Sequence, residues 1–145
     1  MITIVAAVIE REGRLLICQR RKGDALGLKW EFPGGKVEAE ETPEGALARE
    51  LREELGVTLR ACKEVARVEH KYAELAEPRE IRFFAADIGT DEIKPTVFEK
   101  TVWALPKELA LYDFLAANVK LVAYLATGKI KPGEILGAEI LKPKP

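Results

Sequence analysis

One segment constrains the fold of this chain more than any other: GGKVEAEETPEGALARELREELGV, residues 34–57, which combines a complete helix signal with seven glutamates. Thr42 is a good N-cap residue, Pro43 takes the favoured first helical position, and Gly56 can adopt the left-handed conformation that ends a helix. These signals predict a helix over residues 43–55. Leucines recur along it every four residues and predict a buried stripe made of Leu47, Leu51 and Leu55.

The same helix carries an acidic face. Glu50, Glu53 and Glu54 are related by i+3 and i+4 spacing, so their side chains lie together. Each like-charge pair at this spacing costs an isolated helix roughly 0.2–0.5 kcal/mol, and the helix dipole disfavours anions near the C-terminus. Two interpretations remain open: a solvated face in which Arg49 and Arg52 pair with some of the carboxylates, or a site for a hard divalent cation.

The loop before the helix favours the cation. Residues 33–36, PGGK, can bring backbone close to a ligand, because glycine permits tight approach and unusual dihedral angles. Carboxylates and a backbone carbonyl are oxygen ligands of the kind that magnesium takes, usually together with water and substrate phosphates. These residues therefore point to metal-assisted phosphate chemistry as a hypothesis.

Length and composition fit a single globular domain. A chain of 145 residues can bury a proper core, and 48% apolar with 32% charged residues is ordinary for such a domain. The formal net charge of −1 provides no basic field for a nucleic acid polymer. Cys18 and Cys62 match no metal spacing, and the N-terminal run is broken by Glu10 and Arg11. We therefore predict a reduced, cytoplasmic chain with no membrane span.

The remaining pattern predicts strands around two helices. Apolar runs with β-branched and aromatic residues indicate five strands, within residues 2–10, 14–21, 61–72, 79–88 and 98–105. Residues 22–36 are glycine-rich and are predicted to form a loop, and a second helix is predicted within residues 113–128. This order predicts an α/β (or α+β) domain with a mixed sheet, over residues 1–128. Residues 129–145 are predicted to form a tail of unknown role.

A specific motif overlaps the acidic helix. From Gly35 the sequence has five residues, then Glu41, seven residues, and the run RELREELGV from 49 to 57. This resembles a complete Nudix box, the signature of hydrolases that cleave nucleoside diphosphates linked to another moiety. The resemblance implies the Nudix fold, a mixed sheet sandwiched between helices with the box as a loop–helix–loop. It also implies water attack on a phosphorus of the polyphosphate chain, assisted by metal ions.

The resemblance carries roles to individual residues. The implied ligands of Mg²⁺, with Mn²⁺ as an alternative ion, are the Gly34 carbonyl and the carboxylates of Glu41, Glu50, Glu53 and Glu54. Arg49 is implied to orient the glutamates through charge-assisted hydrogen bonds. Arg49, Glu50 and Glu53 are therefore counted among the catalytic residues.

The general base is less directly indicated. MutT-like members of the family often carry a glutamate six residues before a tryptophan of a late strand, a position that Val97 occupies here. Glu99 lies four residues before Trp103 and is our candidate, with Glu92 in reserve. The single histidine, His70, is read as a polar strand position.

The flanking sequence is similar to the MutT branch, which hydrolyses 8-oxo-dGTP to the monophosphate and pyrophosphate. WEFPGGKVE before the box, two arginines closing the second strand, PREIRFF and DFLAANVKLVAYL carry this similarity. It implies four substrate-binding residues: Arg21, Phe32, Arg79 and Asn118. Three of them have a plain alternative, because Phe32 could be ordinary core, Arg79 a surface charge at a strand end, and Asn118 a helix N-cap.

Three functions therefore remain open. The first is Mg²⁺-dependent hydrolysis of 8-oxo-dGTP, which would remove a mutagenic nucleotide. The second is hydrolysis of CTP or 5-methyl-CTP, since that branch also resembles residues 12–21 and 27–38. The third is a Nudix-fold binding module without catalysis, against which the intact glutamates argue. The expected partner is a nucleoside triphosphate, and the expected assembly is a monomer or a homodimer.

Overall fold

A computed structural model describes residues 1–138 of the chain. Its strands are β1 (Ile2–Arg11), β2 (Arg14–Gln19), β3 (Trp30–Glu31), β4 (Gly34–Lys36), β5 (Ala61–His70), β6 (Arg79–Asp87) and β7 (Lys100–Ala104). Its α-helices are α1 (Pro43–Leu55) and α2 (Val119–Ala126). Short 3-10 helices span Pro106–Leu111, Ala116–Asn118 and Pro132–Gly137.

Strand β1 organises the sheet. It pairs in parallel with β6, and antiparallel with β2 near its end and with β4 near its start. β5 adds antiparallel to β6, while β3 and β7 pair antiparallel with β2. The sheet is therefore mixed, and the predicted α/β (α+β) fold class is confirmed.

Side chains alternate along the central strands, so each strand contributes apolar residues to both faces of the sheet. Both faces are buried. Phe83 and Phe84 of β6 illustrate this, since they point into different cores. The α2-side core includes Val8, Leu15, Ile17, Phe83, Leu121 and Leu125. The α1-side core includes Ile9, Leu16, Leu47, Leu51, Leu55 and Phe84. Helices on both faces thus enclose the sheet.

Helix α1 begins and ends where its sequence signals predicted. The Thr42 hydroxyl accepts a hydrogen bond from the Gly45 N–H at 3.0 Å, Pro43 opens the helix, and Gly56 ends it with φ of +69°. The three leucines of the predicted stripe are fully buried. This packing holds the acidic face at one end of the sheet.

The prediction of a loop over residues 22–36 was wrong in one respect. It contains β3 and β4, which pair with β2 and β1 respectively. Strands of two and three residues are too short to show an alternating pattern, so only their pairing partners reveal them. β4 matters for the site because it brings Gly34 and Gly35 beside α1.

The segment after Gly128 is described as far as residue 138, and the rest of the predicted tail lies outside the described residues. Ile135, in the last 3-10 helix, is buried in the α2-side core. The role of this segment and the predicted domain boundary stay predictions. Among the helices described, none combines the length and apolar character that crossing a membrane requires.

The leucine stripe of α1 can be tested by comparing two leucines. Leu51 is 0% exposed in the α1-side core, whereas Leu111 is 81% exposed. Leu51→Ala should lower the free energy of unfolding by about 2–5 kcal/mol, because it removes buried methyl groups and leaves a cavity. Leu111→Ala should change it by less than about 0.5 kcal/mol. Urea denaturation measures both, and equal effects would contradict the packing described here.

Candidate functional site

The acidic face of α1 meets the backbone of β4 at two glycines. The Gly34 N–H donates a hydrogen bond to Glu54 Oε1 at 3.0 Å. The Glu50 carboxyl lies against Gly35, where a Cβ atom would collide with it, and a Cβ on Gly34 would collide with the Val5 carbonyl oxygen. Gly35 is therefore required so that the Glu50 carboxyl can approach β4, and Gly34 is required so that β4 can pair closely with β1.

Arg49 ties the acidic groups together. Its guanidinium makes a bidentate pair with Glu41, at 2.7 and 2.9 Å. Its Nη1 donates to Glu50 at 3.0 Å and to Glu53 at 3.3 Å, and its Nη2 donates to the Lys36 carbonyl at 3.1 Å. The hydrogen bonds from Arg49 lower the pKa of Glu41 to about 2. This is the arrangement implied by the orienting role of Arg49.

The carboxyl groups closest to β4 are difficult to ionise in the absence of a cation. Burial, reinforced by the charges of Glu50 and Glu31, raises the pKa of Glu54 to about 9. Burial also raises the pKa of Glu50, against the opposing effect of Arg49. A cation placed between these carboxyl groups would stabilise their ionised forms, so this position strongly favours a cation.

The donor set suits a hard divalent cation. Within residues 1–138, however, no three Asp, Glu, His or Cys side chains converge on one metal position. The hydrogen bonds explain this, because Arg49 holds Glu50 and Glu53 while the Gly34 N–H holds Glu54. The available ligands are all oxygens, carried on one helix face beside a glycine strand, which fits Mg²⁺ or Mn²⁺.

A cavity of about 270 Å³ runs from these carboxylates to the α2 side of the sheet. Five residues predicted from the sequence line it: Phe32, Gly34, Glu54, Arg79 and Asn118. A volume of this order accommodates part of a nucleotide at one time, with the remainder in the open mouth. The cavity thus joins the acidic end to the predicted base-binding residues.

Asn118 is the most unusual of these residues. It is 5% exposed, at the junction of the 3-10 helix and α2. Its side chain makes no capping hydrogen bond, and none of the residues 1–138 pairs with its amide. Because Asn118 lines the cavity, its amide donor and acceptor are available to a ligand there.

Phe32 and Arg79 line the cavity and also contact neighbouring protein groups. Phe32 is buried and packs against Phe114 and Phe83, with ring centroids 5.7 and 6.2 Å apart, so the core interpretation describes most of its surroundings. Arg79 opens β6 and donates to the Glu77 carbonyl at 3.2 Å. Its half-buried guanidinium therefore lies at the rim of the cavity.

The structure places three other predicted residues away from the cavity lining. Arg21 is exposed, and its Nη2 donates to the Thr96 carbonyl at 3.0 Å. Glu99 is exposed and accepts one N–H, from Lys22, at 3.4 Å. Glu92, the reserve candidate, is also exposed.

Sequence reasoning missed three lining residues. Arg20, rather than its neighbour Arg21, lines the cavity and forms an ion pair with Glu31 at 3.3 Å. Burial raises the pKa of Glu31 to about 6, although Arg20 opposes this shift. Opposite charges on the β2–β3 pair were an available signal, had β3 been recognised. Tyr72, in the segment after β5, carried no signal in the sequence.

The chain is similar in sequence to known proteins. A sequence model of the NUDIX domain matches residues 1–125. CTP pyrophosphohydrolase of Escherichia coli (strain K12) is 36% identical over 140 residues, covering 92% of this chain and 98% of that protein. The 8-oxo-dGTP diphosphatase of Proteus vulgaris is 44% identical over 70 residues, covering 48% of this chain and 62% of that protein.

The fold is also similar to solved structures. The solution structure of the E. coli ORF135 protein matches with a TM-score of 0.76 and 31% sequence identity, covering 89% of this chain and 91% of that one. The two E. coli matches extend over nearly the whole chain, whereas the Proteus match extends over about half of it.

The raised pKa of Glu54 predicts a pH-dependent stability in the presence of EDTA. Between the unfolded pKa of about 4.3 and the folded value of about 9, the folded protein keeps a proton that the unfolded chain releases. Stability should therefore fall as pH rises, by at most about 1.4 kcal/mol per pH unit. Glu54→Gln should flatten this profile in urea denaturation from pH 5.5 to 8.5.

Glu44→Gln is the matched control, since Glu44 is exposed in the first turn of the same helix. It should leave the slope of the wild type unchanged. Parallel profiles for wild type and Glu54→Gln would show that Glu54 ionises normally.

Proposed function

The chain belongs to the Nudix family, and from this premise we propose that it hydrolyses 8-oxo-dGTP to 8-oxo-dGMP and pyrophosphate. It is a Nudix hydrolase that acts on nucleotide substrates; the proposal concerns which nucleotide. Removal of 8-oxo-dGTP from the nucleotide pool would prevent its incorporation into DNA.

One observation carries the proposal: a single cavity is lined both by a carboxyl group of the acidic helix face and by an amide that pairs with no described residue. These two groups are Glu54 on α1 and Asn118 at the start of α2, and the two helices pack in different cores of the sheet. A nucleoside triphosphate has the same polarity, with an anionic chain that binds metal ions and a base that pairs through its edge. The substrate would therefore lie along the cavity with its phosphates toward α1.

At the acidic end we propose a Mg²⁺ site, or Mn²⁺ in its place. The carboxylates of Glu41, Glu50, Glu53 and Glu54 and the carbonyl of Gly34 would provide the ligands. Bound there, the ion supplies charge neutralisation on the phosphate oxygens and a lowered pKa for a coordinated water. Arg49 holds three of these carboxylates in position and would keep them oriented through the reaction.

Glu99 remains our candidate for the general base. Its carboxylate accepts one long hydrogen bond, from the Lys22 N–H, and pairs with no arginine or lysine among the described residues. It is therefore free to accept a proton from water in a way that Glu41 and Glu50, bound to Arg49, are not. Glu92 stays in reserve.

The chemistry of the amide supports an oxidised purine. Oxidation at C8 of guanine places an N–H at position 7 beside the O6 acceptor. The Asn118 amide can donate to O6 and accept from N7–H at once. Unmodified guanine presents two acceptors there, so one of the two hydrogen bonds is lost. Arg79 and Phe32 would contact the base or sugar from the cavity walls. Arg21, which does not line the cavity, would contact the substrate from outside it.

CTP, or 5-methyl-CTP, is the second candidate. The E. coli relative named CTP pyrophosphohydrolase is similar over nearly the whole chain, which favours this alternative. Cytosine also offers an adjacent donor and acceptor, the N4 amino group and N3, to which the Asn118 amide is complementary. Both candidates leave a monophosphate and pyrophosphate.

The decisive experiment measures pyrophosphate release with Mg²⁺ from 8-oxo-dGTP, dGTP, CTP and 5-methyl-CTP. The proposal expects the largest kcat/KM for 8-oxo-dGTP. A larger value for CTP or 5-methyl-CTP would select the second candidate. No release from any of the four would exclude hydrolysis of these nucleotides and contradict the proposal.

The metal assignment predicts that Glu53→Gln lowers kcat by more than about a hundredfold, because a ligand carboxylate is lost without a change of size. Glu44→Gln, on the exposed first turn of α1, should keep kcat within about twofold. Circular dichroism should show both variants folded. Turnover near the wild-type rate in Glu53→Gln would contradict the assignment.

Base recognition by Asn118 predicts a change in discrimination. Asn118→Ala should lower the ratio of kcat/KM for 8-oxo-dGTP over dGTP by roughly tenfold or more, since a bidentate contact contributes about 1–3 kcal/mol. The kcat values should change less than the KM values, because the metal site is untouched. An unchanged ratio would mean that the base is recognised by other residues.

A further inference from the structure

Tyr72 lies at the base end of the cavity, in the segment between β5 and β6. It is 8% exposed and lines the cavity together with Leu75, Arg79, Ala117 and Asn118. Its ring packs edge-to-face against His70, with centroids 4.3 Å apart. The phenol is therefore held in a single position by core contacts rather than at a mobile surface.

The hydroxyl of Tyr72 uses only half of its hydrogen-bonding capacity. It accepts a hydrogen bond from the Ala117 N–H at 2.9 Å. A tyrosine hydroxyl is also a donor, and no acceptor for its proton is found within residues 1–138. Because buried donors are normally satisfied, the free proton marks a position at which a ligand atom would be accepted.

We propose that Tyr72 is a specificity-determining residue whose phenolic O–H donates a hydrogen bond to an acceptor atom of the nucleobase, beside the edge that the Asn118 amide contacts. This inference rests on the proposed function, because it assumes that the base occupies this end of the cavity. A base with a carbonyl oxygen or ring nitrogen next to its donor–acceptor edge would satisfy all three polar groups. Bases without such an acceptor would leave the phenol unpaired and bind less well.

The surroundings keep the donor available. Burial raises the pKa of Tyr72 above its ordinary value, so the phenol keeps its proton at neutral pH. The charges of Arg79 and Arg20 oppose this shift and that of Glu31 adds to it. Anchoring by the Ala117 N–H fixes the oxygen, and the remaining freedom of the O–H bond is a rotation that can meet the ligand.

The test uses binding rather than turnover. Dissociation constants of 8-oxo-dGMP and of CMP are measured by calorimetry with Mg²⁺ for the wild type and for Tyr72→Phe. Loss of one hydrogen bond should weaken the better-bound nucleotide by about tenfold. Tyr124→Phe is the matched control, because Tyr124 lies on α2 outside the cavity lining, and it should stay within about twofold of wild type.

A double-mutant cycle separates direct contact from an indirect effect. Tyr72 also holds Ala117, the neighbour of Asn118, so Tyr72→Phe could act by shifting that amide. If the phenol contacts the base, Tyr72→Phe weakens binding by a similar factor in the Asn118→Ala background. If its effect disappears in that background, Tyr72 acts only through Asn118 and the donor assignment is overturned.

The remaining outcomes are also decisive. Unchanged binding in Tyr72→Phe, or no binding of either nucleotide by the wild type, overturns the inference. Failure of the proposed function is seen separately, as absence of pyrophosphate release from the triphosphates. An active wild type with an unaffected Tyr72→Phe variant would therefore contradict the role of Tyr72 alone.

Discussion

Close contact between the acidic face of α1 and the two glycines of β4 is the constraint on which the rest of the structure depends. Any side chain at Gly35 would displace the Glu50 carboxyl, and any at Gly34 would strike β1. The helix can lie this close only because its leucines bury against the same sheet. Packing energy from the apolar stripe thus holds together acidic groups that would otherwise separate.

Arg49 makes this arrangement tolerable in the absence of a cation. It contacts Glu41, Glu50 and Glu53 at once, while Glu54, beyond its reach, has its pKa raised toward 9. Arg49 therefore compensates three of the four carboxyl groups and leaves the fourth difficult to ionise. At the proposed metal site, this is the group whose ionisation a cation would favour most.

Much of this could be predicted from the sequence, and the reason is local. The N-cap, the leucine stripe, the glycine stop and the acidic face all lie within residues 42–56 and depend only on residues close together in the chain. The five longer strands were also predicted from local sequence, through their apolar, β-branched and aromatic residues. β3 and β4 were missed because strands this short exist only through pairing with β1 and β2, which is information distant in the chain.

The base end of the cavity could be predicted only in part, because irregular segments build it. Arg20, rather than Arg21, lines the cavity. The sequence could not predict which of the two arginines faces inward, because β2 ends at Gln19 and the alternation of side chains ends with it. Tyr72 follows the end of β5, and Asn118 ends a 3-10 helix, so neither position has a period that points to the other. What joins them is one hydrogen bond, from the Ala117 N–H to the Tyr72 hydroxyl.

This difference between the two ends has a consequence for function. In the proposed binding mode the phosphates lie against a helix and a glycine strand whose geometry leaves little room for variation, so related chains can share the reaction. The base would lie against segments that tolerate substitution without loss of the sheet, so the preferred base can change while the reaction is kept. Relatives named for 8-oxo-dGTP and for CTP are what such a division would produce. The residues that select between the two bases should therefore lie in residues 71–79 and 115–118, rather than in the acidic helix.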